Sequence, residues 1–198
     1  MTFKELKVYI LSSLYRHEGR LSKRHFIRTF RKDPGFRYIV LLRLTQFFSS
    51  STSRNKFLFN WLEWLLEHNG LKYGLFIDWK TEIGPGFFIN HVNGITIHPE
   101  AKLGRDCIVS TGVVIGKSFR GKHQGTPTIG DRVYMAPGAM VFGLVTIGND
   151  VVIGANVVVT KDVPDFAVLS SAPYVINSFN GSRDFIKFID YNEEILKY

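Results

Sequence analysis

Two of the six histidines, His91 and His123, stand where a regular aliphatic pattern breaks. Imidazole takes up and returns a proton near neutral pH, so these breaks are the first places to look for chemistry. Asn90 and Asn93 flank the first histidine; Lys117, Arg120 and Lys122 precede the second. The single cysteine, Cys107, falls at a small core position of the same pattern and reads as a buried thiol rather than a nucleophile. One cysteine builds no internal disulfide framework and suits a reducing compartment. No Cys/His cluster has zinc spacing, and no metal is expected.

The element that must position these histidines is a repeat. One aliphatic residue returns every six positions: Ile77, Ile83, Ile89; Ile97, Leu103, Val109, Ile115; Ile129, Met135, Val141, Ile147, Ile153, Val159. A smaller, mostly apolar residue sits two before it, as at Ala101, Cys107, Val133 and Ala139. A period of six fits neither an amphipathic helix nor simple alternation; it is the signature of a hexapeptide β-helix, each unit one short strand plus a corner. Stacked coils bury the aliphatic ladder as a continuous core. The phase slips twice: eight residues separate Ile89 from Ile97, and fourteen separate Ile115 from Ile129. Insertions in a solenoid emerge at corners as loops, often on a working face.

Three regions are expected: a basic helical part over 1–70, the β-helix over 71–176 and a helical tail over 177–198. Residues 1–70 carry 13 Lys+Arg against 5 Asp+Glu, which accounts for the whole net charge of +8. Helices are expected over 3–17, from Asp33-Pro34 to about Phe48, and from Phe57 to His68 with Asn69-Gly70 as a C-cap. Ser49–Ser53 and Asn55 read as a polar linker. These helices pack on each other and the first coil; a second reading sets their basic and aromatic residues against an anionic membrane surface. A nucleic-acid partner is not expected, since no helix-turn-helix or RNA-binding motif accompanies the charge. No apolar stretch is long enough to span a bilayer, and Met1–Lys7 leads into no signal-peptide core, so the expected location is cytoplasmic or peripheral on the inner membrane face. The β-helix is expected to end at Val159-Thr160, with Asp162-Val163-Pro164 as the leaving turn. Residues 166–176 look extended, and Asp184–Lys197 reads as a short helix that caps the coil or contacts another subunit.

The coil residues resemble the hexapeptide-repeat acyltransferases, in particular their serine acetyltransferase-like branch. The resemblance rests on Ile89-Asn90-His91-Val92-Asn93-Gly94-Ile95, on Thr126-Pro127-Thr128-Ile129-Gly130-Asp131, and on Val157-Val158-Val159-Thr160-Lys161-Asp162-Val163-Pro164. Asp33-Pro34-Gly35-Phe36-Arg37-Tyr38 is similar to a helix start in polysaccharide-cluster members of that branch. The resemblance implies a mainly β fold, a left-handed parallel β-helix, assembled as a homotrimer with active sites between neighbouring coils. It also implies acetyl-CoA as cosubstrate, a hydroxyl acceptor, and His91 as general base. The aspartate that orients the base in serine acetyltransferases corresponds to Phe76 here, and Asp78, two residues on, is either its substitute or a turn residue. The acidic residue before the catalytic histidine is Asn90, and the second histidine is Thr126, with His123 three residues earlier. Matching the family's small corners gives Ala136, Pro137, Gly154 and Ala155 as cofactor contacts, with Lys161 as a phosphate contact or a solvated turn residue. His98 reads as structural.

Asn90 gives an amino-acid ammonium no carboxylate, so the leading expectation is O-acetylation of a sugar hydroxyl in a bacterial surface polysaccharide. Asn90, Asn93, Lys122 and His123 would hold that acceptor. The alternative is serine O-acetyltransferase, and a further one is a catalytically inert β-helix scaffold.

Overall fold

The computed structural model describes residues 1–49, 56–170, 175–182, 186–187 and 191–195. Of the polar linker expected at Ser49–Ser53 and Asn55 only Ser49 is therefore described, at the end of a helix, and residues 171–174 of the exit segment lie outside the described residues.

The repeat forms a three-faced parallel prism. Face A holds five strands (Leu75–Ile77, Ile95–Ile97, Val114–Gly116, Met140–Phe142, Val158–Val159) and face B four (Glu82–Ile83, Lys102–Leu103, Thr128–Ile129, Thr146–Ile147). Face C holds Phe88–Ile89, Ile108–Val109, Tyr134–Met135, Val152–Ile153 and Val168–Ser170, with Val175–Ser178 added antiparallel. Stacked strands keep register, Ile77 beside Ile97 and Leu103 beside Ile129, so each aliphatic residue meets its own kind one coil on. All thirteen six-spaced positions are buried, as are the small residues two before them, Cys107 among them. That dry ladder gives the prism a single core.

Two expectations about its ends are corrected. The coil does not stop at Thr160. A four-residue step carries Val163 inside at face B, beside Ile147, and Leu169 then pairs with Ile153 on face C. Pro164 lies in the corner between them, where a missing N–H breaks no ladder. At the other end the third expected helix does not close at Asn69-Gly70.

The helical part has four helices: α1 (Phe3–Glu18), α2 (Lys23–Lys32), α3 (Pro34–Ser49) and α4 (Lys56–Tyr73). Helix α2 was not expected from its run of basic residues, although the Ser22 hydroxyl caps it by accepting from the His25 N–H. Helix α4 runs through Gly70 because that glycine serves packing: a Cβ there would lie 2.6 Å from the Leu75 carbonyl oxygen. The turn instead falls at Gly74, φ +63°.

Helices α3 and α4 cover the N-terminal end of the prism, and Tyr38, Leu42, Leu62 and Leu66 join its core. Tyr38 Oη donates to the Ile77 carbonyl (2.8 Å), and the buried Arg43 guanidinium donates to the Gly84 carbonyl (2.8 Å) while lying over the Tyr9 ring. Gln46 adds bonds to the Trp79 and Thr81 carbonyls. Phe57, Trp61 and Trp64 of α4 remain exposed, and no helix among the described residues is long and apolar enough to cross a membrane.

Helix α1 lies along the edge between faces B and C. There Arg16, buried, donates to the Gly86 and Asp106 carbonyls (3.1 and 2.9 Å) and faces the Asp106 carboxylate at 3.4 Å. The expected C-terminal helix is described only as α5 (Tyr191–Ile195). Its Tyr191 and Ile195 pack with Leu14 and Tyr15 of α1, and Arg105 donates to the Tyr191 hydroxyl (3.1 Å). Tail and first helix thus share one seat on the prism.

Candidate functional site

The expected site residues separate by corner. His91, Asn90 and Asn93 follow the first strand of face C and precede the second of face A, so they occupy the C/A edge. Two and three coils on, the same edge carries Ala136-Pro137-Gly138 and Gly154-Ala155-Asn156. Backbone bonds stitch this edge along its length: the Gly112 N–H donates to the Asn93 carbonyl, Gly138 to Thr111 and Asn156 to Pro137, at 2.9, 2.9 and 3.0 Å. Each donor sits at φ between +57° and +72°, which glycine adopts without strain and asparagine tolerates. A Cβ on Gly138 would come within 2.2 Å of the Asn156 Oδ1. The edge is therefore a narrow shelf of small residues with the His91 imidazole at its N-terminal end.

Asp78, Lys122, His123 and Lys161 are elsewhere, all in corners that follow strands of face A and lead towards face B. The Asp78 carboxylate accepts from the Lys80 N–H (2.7 Å) within its own turn, and its carbonyl accepts from Thr81. Within one chain Asp78 thus stands on a different edge from His91, and no hydrogen bond joins the two among the described residues. Residues 117–126 form a loop on this A/B edge. Paired backbone bonds between Ser118 and Gly125 close it (2.9 and 3.0 Å), and the Leu144 N–H holds the His123 carbonyl (2.8 Å). One chain therefore does not bring His123 to His91. Thr126 donates to the Glu100 carbonyl, and His98, in a regular corner, accepts from the Glu100 N–H.

Exposed His91 has no hydrogen-bond partner among the described residues. Its ring borders a groove of about 390 Å³ between the C/A edge and the helical part, lined by His17 and Glu18 of α1, Arg28 and Lys32 of α2, and Asp33 just before α3. Sequence reasoning missed these as site residues. Asp33 marks the expected start of a helix, and its Oδ1 accepts from the Phe36 N–H (2.9 Å). The other oxygen, Oδ2, faces the His17 Nε2 at 3.5 Å. Burial holds the His17 imidazole below the ordinary histidine pKa, against the opposing pull of the Ser13 carbonyl and of Asp33, so this contact is not an ion pair at neutral pH. Glu18 is bound by Arg28 and by the Thr29 hydroxyl (2.6 Å), and together they hold its carboxyl below its usual range despite burial.

A second cleft, of about 540 Å³, opens beside α4 on face A and is lined by exposed Phe76. Asp78 and His98 line it with apolar neighbours, and it does not reach His91. Among the described residues there is no cluster of His, Cys, Asp and Glu that could hold a metal ion.

No family model matches the chain. Its sequence is similar to the serine acetyltransferase of Helicobacter pylori (strain ATCC 700392 / 26695), 40% identical over 91 residues, which are 46% of this chain and 53% of that protein. The chain thus spans about half the length of the curated relative it matches. A serine acetyltransferase solved in complex with cysteine superposes with a TM-score of 0.68 and 22% identity over 87% of this chain and 69% of the other. One solved in complex with CoA gives 0.66 and 20% over 86% and 67%. A parallel β-helix of about five turns entered from a helical region is the fold that this chain has in common with the serine acetyltransferases.

Proposed function

We propose that the chain is an acetyl-CoA-dependent O-acetyltransferase with His91 as its general base. One observation carries this reading: the exposed His91 imidazole stands between an open groove and a shelf of small corner residues on the same edge. The groove suits a hydroxyl acceptor. The shelf, with Ala136, Pro137, Gly154 and Ala155, suits a pantetheine arm that must lie close to backbone. A hydroxyl attacks a thioester only as its proton leaves, and the imidazole takes that proton as the new C–O bond forms. The tetrahedral oxyanion then collapses, the C–S bond breaks, and the imidazolium returns its proton to the departing thiolate. A structural neighbour solved with CoA supports the cosubstrate.

His123, Lys122 and Lys161 lie on the A/B edge and serve the same reaction only if a second copy sets that edge against the C/A edge. Homotrimeric assembly with inter-protomer sites is therefore part of the proposal.

The acceptor reading changes from the one that Asn90 suggested. The similar proteins bear the name serine acetyltransferase, and the groove contains the Asp33 and Glu18 carboxylates that Asn90 does not supply to an ammonium. Serine is thus the first acceptor. A sugar hydroxyl of a surface polysaccharide is the second, favoured by Phe76, Asn90 and Thr126 at three of the family's functional positions. Incubation with acetyl-CoA and L-serine, then with glycan acceptors, while following free thiol separates them. Release with serine, abolished by His91→Ala with CoA affinity retained, is the expected result. Full activity in His91→Ala would remove the base assignment, and absence of both CoA binding and thiol release would leave only a scaffold.

A further inference from the structure

The groove beside His91 contains a polar atom that the fold leaves without a partner. His17, in the last turn of α1, is wedged between Phe88 (ring centroids 4.2 Å apart) and Phe36 (5.2 Å), and its side chain is 4% exposed. Its Nδ1 lies 2.8 Å from the Ser13 carbonyl oxygen. A carbonyl only accepts, so Nδ1 carries the hydrogen and Nε2 of the neutral ring presents a lone pair. That Nε2 has no hydrogen-bond partner among the described residues. What faces it is another acceptor, Asp33 Oδ2, at 3.5 Å. A buried acceptor facing a half-buried carboxylate oxygen with no hydrogen between them is unfavourable, and the missing component is a donor.

We propose that His17 Nε2 and Asp33 Oδ2 together receive a donor group of the acceptor, an ammonium or a second hydroxyl carried by the molecule whose hydroxyl is acetylated. This rests on the acyl-transfer reading, because it is the acceptor that places its reactive hydroxyl at His91, which lines the same groove. The ligand class is then a hydroxy amine or a diol. A simple alcohol lacks the second donor and leaves the pair unmet. Arg28 and Lys32 line the same groove and suit an anionic substituent on that molecule, although Arg28 is already paired with Glu18. His17 is thereby a substrate-binding residue that selects the acceptor, distinct from the base.

The test is direct observation of the His17 Nε2 resonance in the full chain labelled with ¹⁵N-histidine, titrated separately with L-serine, methyl α-glucopyranoside and 3-hydroxypropionate. Serine supplies the ammonium and the glucoside the diol; 3-hydroxypropionate has the reactive hydroxyl without either. A shift of Nε2 with serine or with the glucoside, and none with 3-hydroxypropionate, is expected, and the effective probe identifies the source. His17→Phe keeps the stacking on Phe88 and should weaken that probe's binding by about tenfold, the loss of one hydrogen bond to a polar group, with CoA affinity unchanged. A Nε2 resonance unmoved by all three, or unaltered probe affinity in His17→Phe, overturns the proposal. If Nε2 shifts but no acetyl transfer occurs, the binding pair stands and the acyl-transfer reading falls.

Discussion

Replacing Arg16 by Met tests how the helical part is held against the prism and hence how the groove beside His91 keeps its shape. The guanidinium meets three acceptors: the Gly86 carbonyl, the Asp106 carbonyl and, at 3.4 Å, the Asp106 carboxylate. Both partners are nearly sealed from water, each side chain 2% exposed. Burial outweighs attraction at each: Arg16 is held below the usual guanidinium pKa and Asp106 above the usual carboxylate one. Removing one member of such a pair costs about 3–5 kcal/mol, because the other charge stays buried. Arg105 still reaches the Asp106 carboxylate at 3.2 Å, which puts the loss near the lower bound, about 3 kcal/mol. In a chain of 198 residues that corresponds to a fall in melting temperature of roughly 6–12 °C. Calorimetry at neutral pH measures it. Arg16→Met with Asp106→Asn should lose less than Arg16→Met alone, since the stranded charge is gone. A single variant melting within about 2 °C of the native chain, or a double variant equal to the sum of the two singles, would refute the reasoning.

Three further outcomes are expected. Gly70→Ala should destabilise by more than the usual gain from replacing a helical glycine, because its Cβ meets the Leu75 carbonyl oxygen at 2.6 Å, and urea titration reads the sign. Cys107, fully buried with its thiol pushed up to about 12 mainly by desolvation, should resist iodoacetamide in the native chain and react once urea unfolds it. Because burial lowers the folded pKa of His17, the unfolded chain takes a proton near pH 6.5 that the folded one refuses. Stability from this group is whole above that pH and falls below it, and urea midpoints should decline less steeply with acid in His17→Phe.

The prism was legible because stacking imposes one chemical demand at one spacing: from Ile77 to Val159, outside the two phase slips, every sixth residue faces the same dry interior. The errors came where a residue serves two demands. Gly70 looked like a helix stop, yet its lack of a side chain admits a carbonyl. Val163 seemed to have left the coil, since a shortened corner moved it four residues on from Val159 instead of six. His91 could be picked out because it stands on a phase slip. Asp78 could not be judged by proximity in sequence, because in a three-sided coil neighbouring corners point to different edges. His17 and Asp33 gave no signal at all: their meeting with His91 depends on how three helices close over the first coil, which no local pattern encodes.

The shared seat of the first and last helices also dictates an order of events as the chain is made. Arg16 leaves the ribosome early, but Asp106 follows ninety positions later and Tyr191 later still. Contacts so distant along the chain close slowly, and until they do the leading helix has no finished surface to settle on. Coil growth should therefore precede the latching of α1, with the groove beside His91 the last part of the molecule to mature.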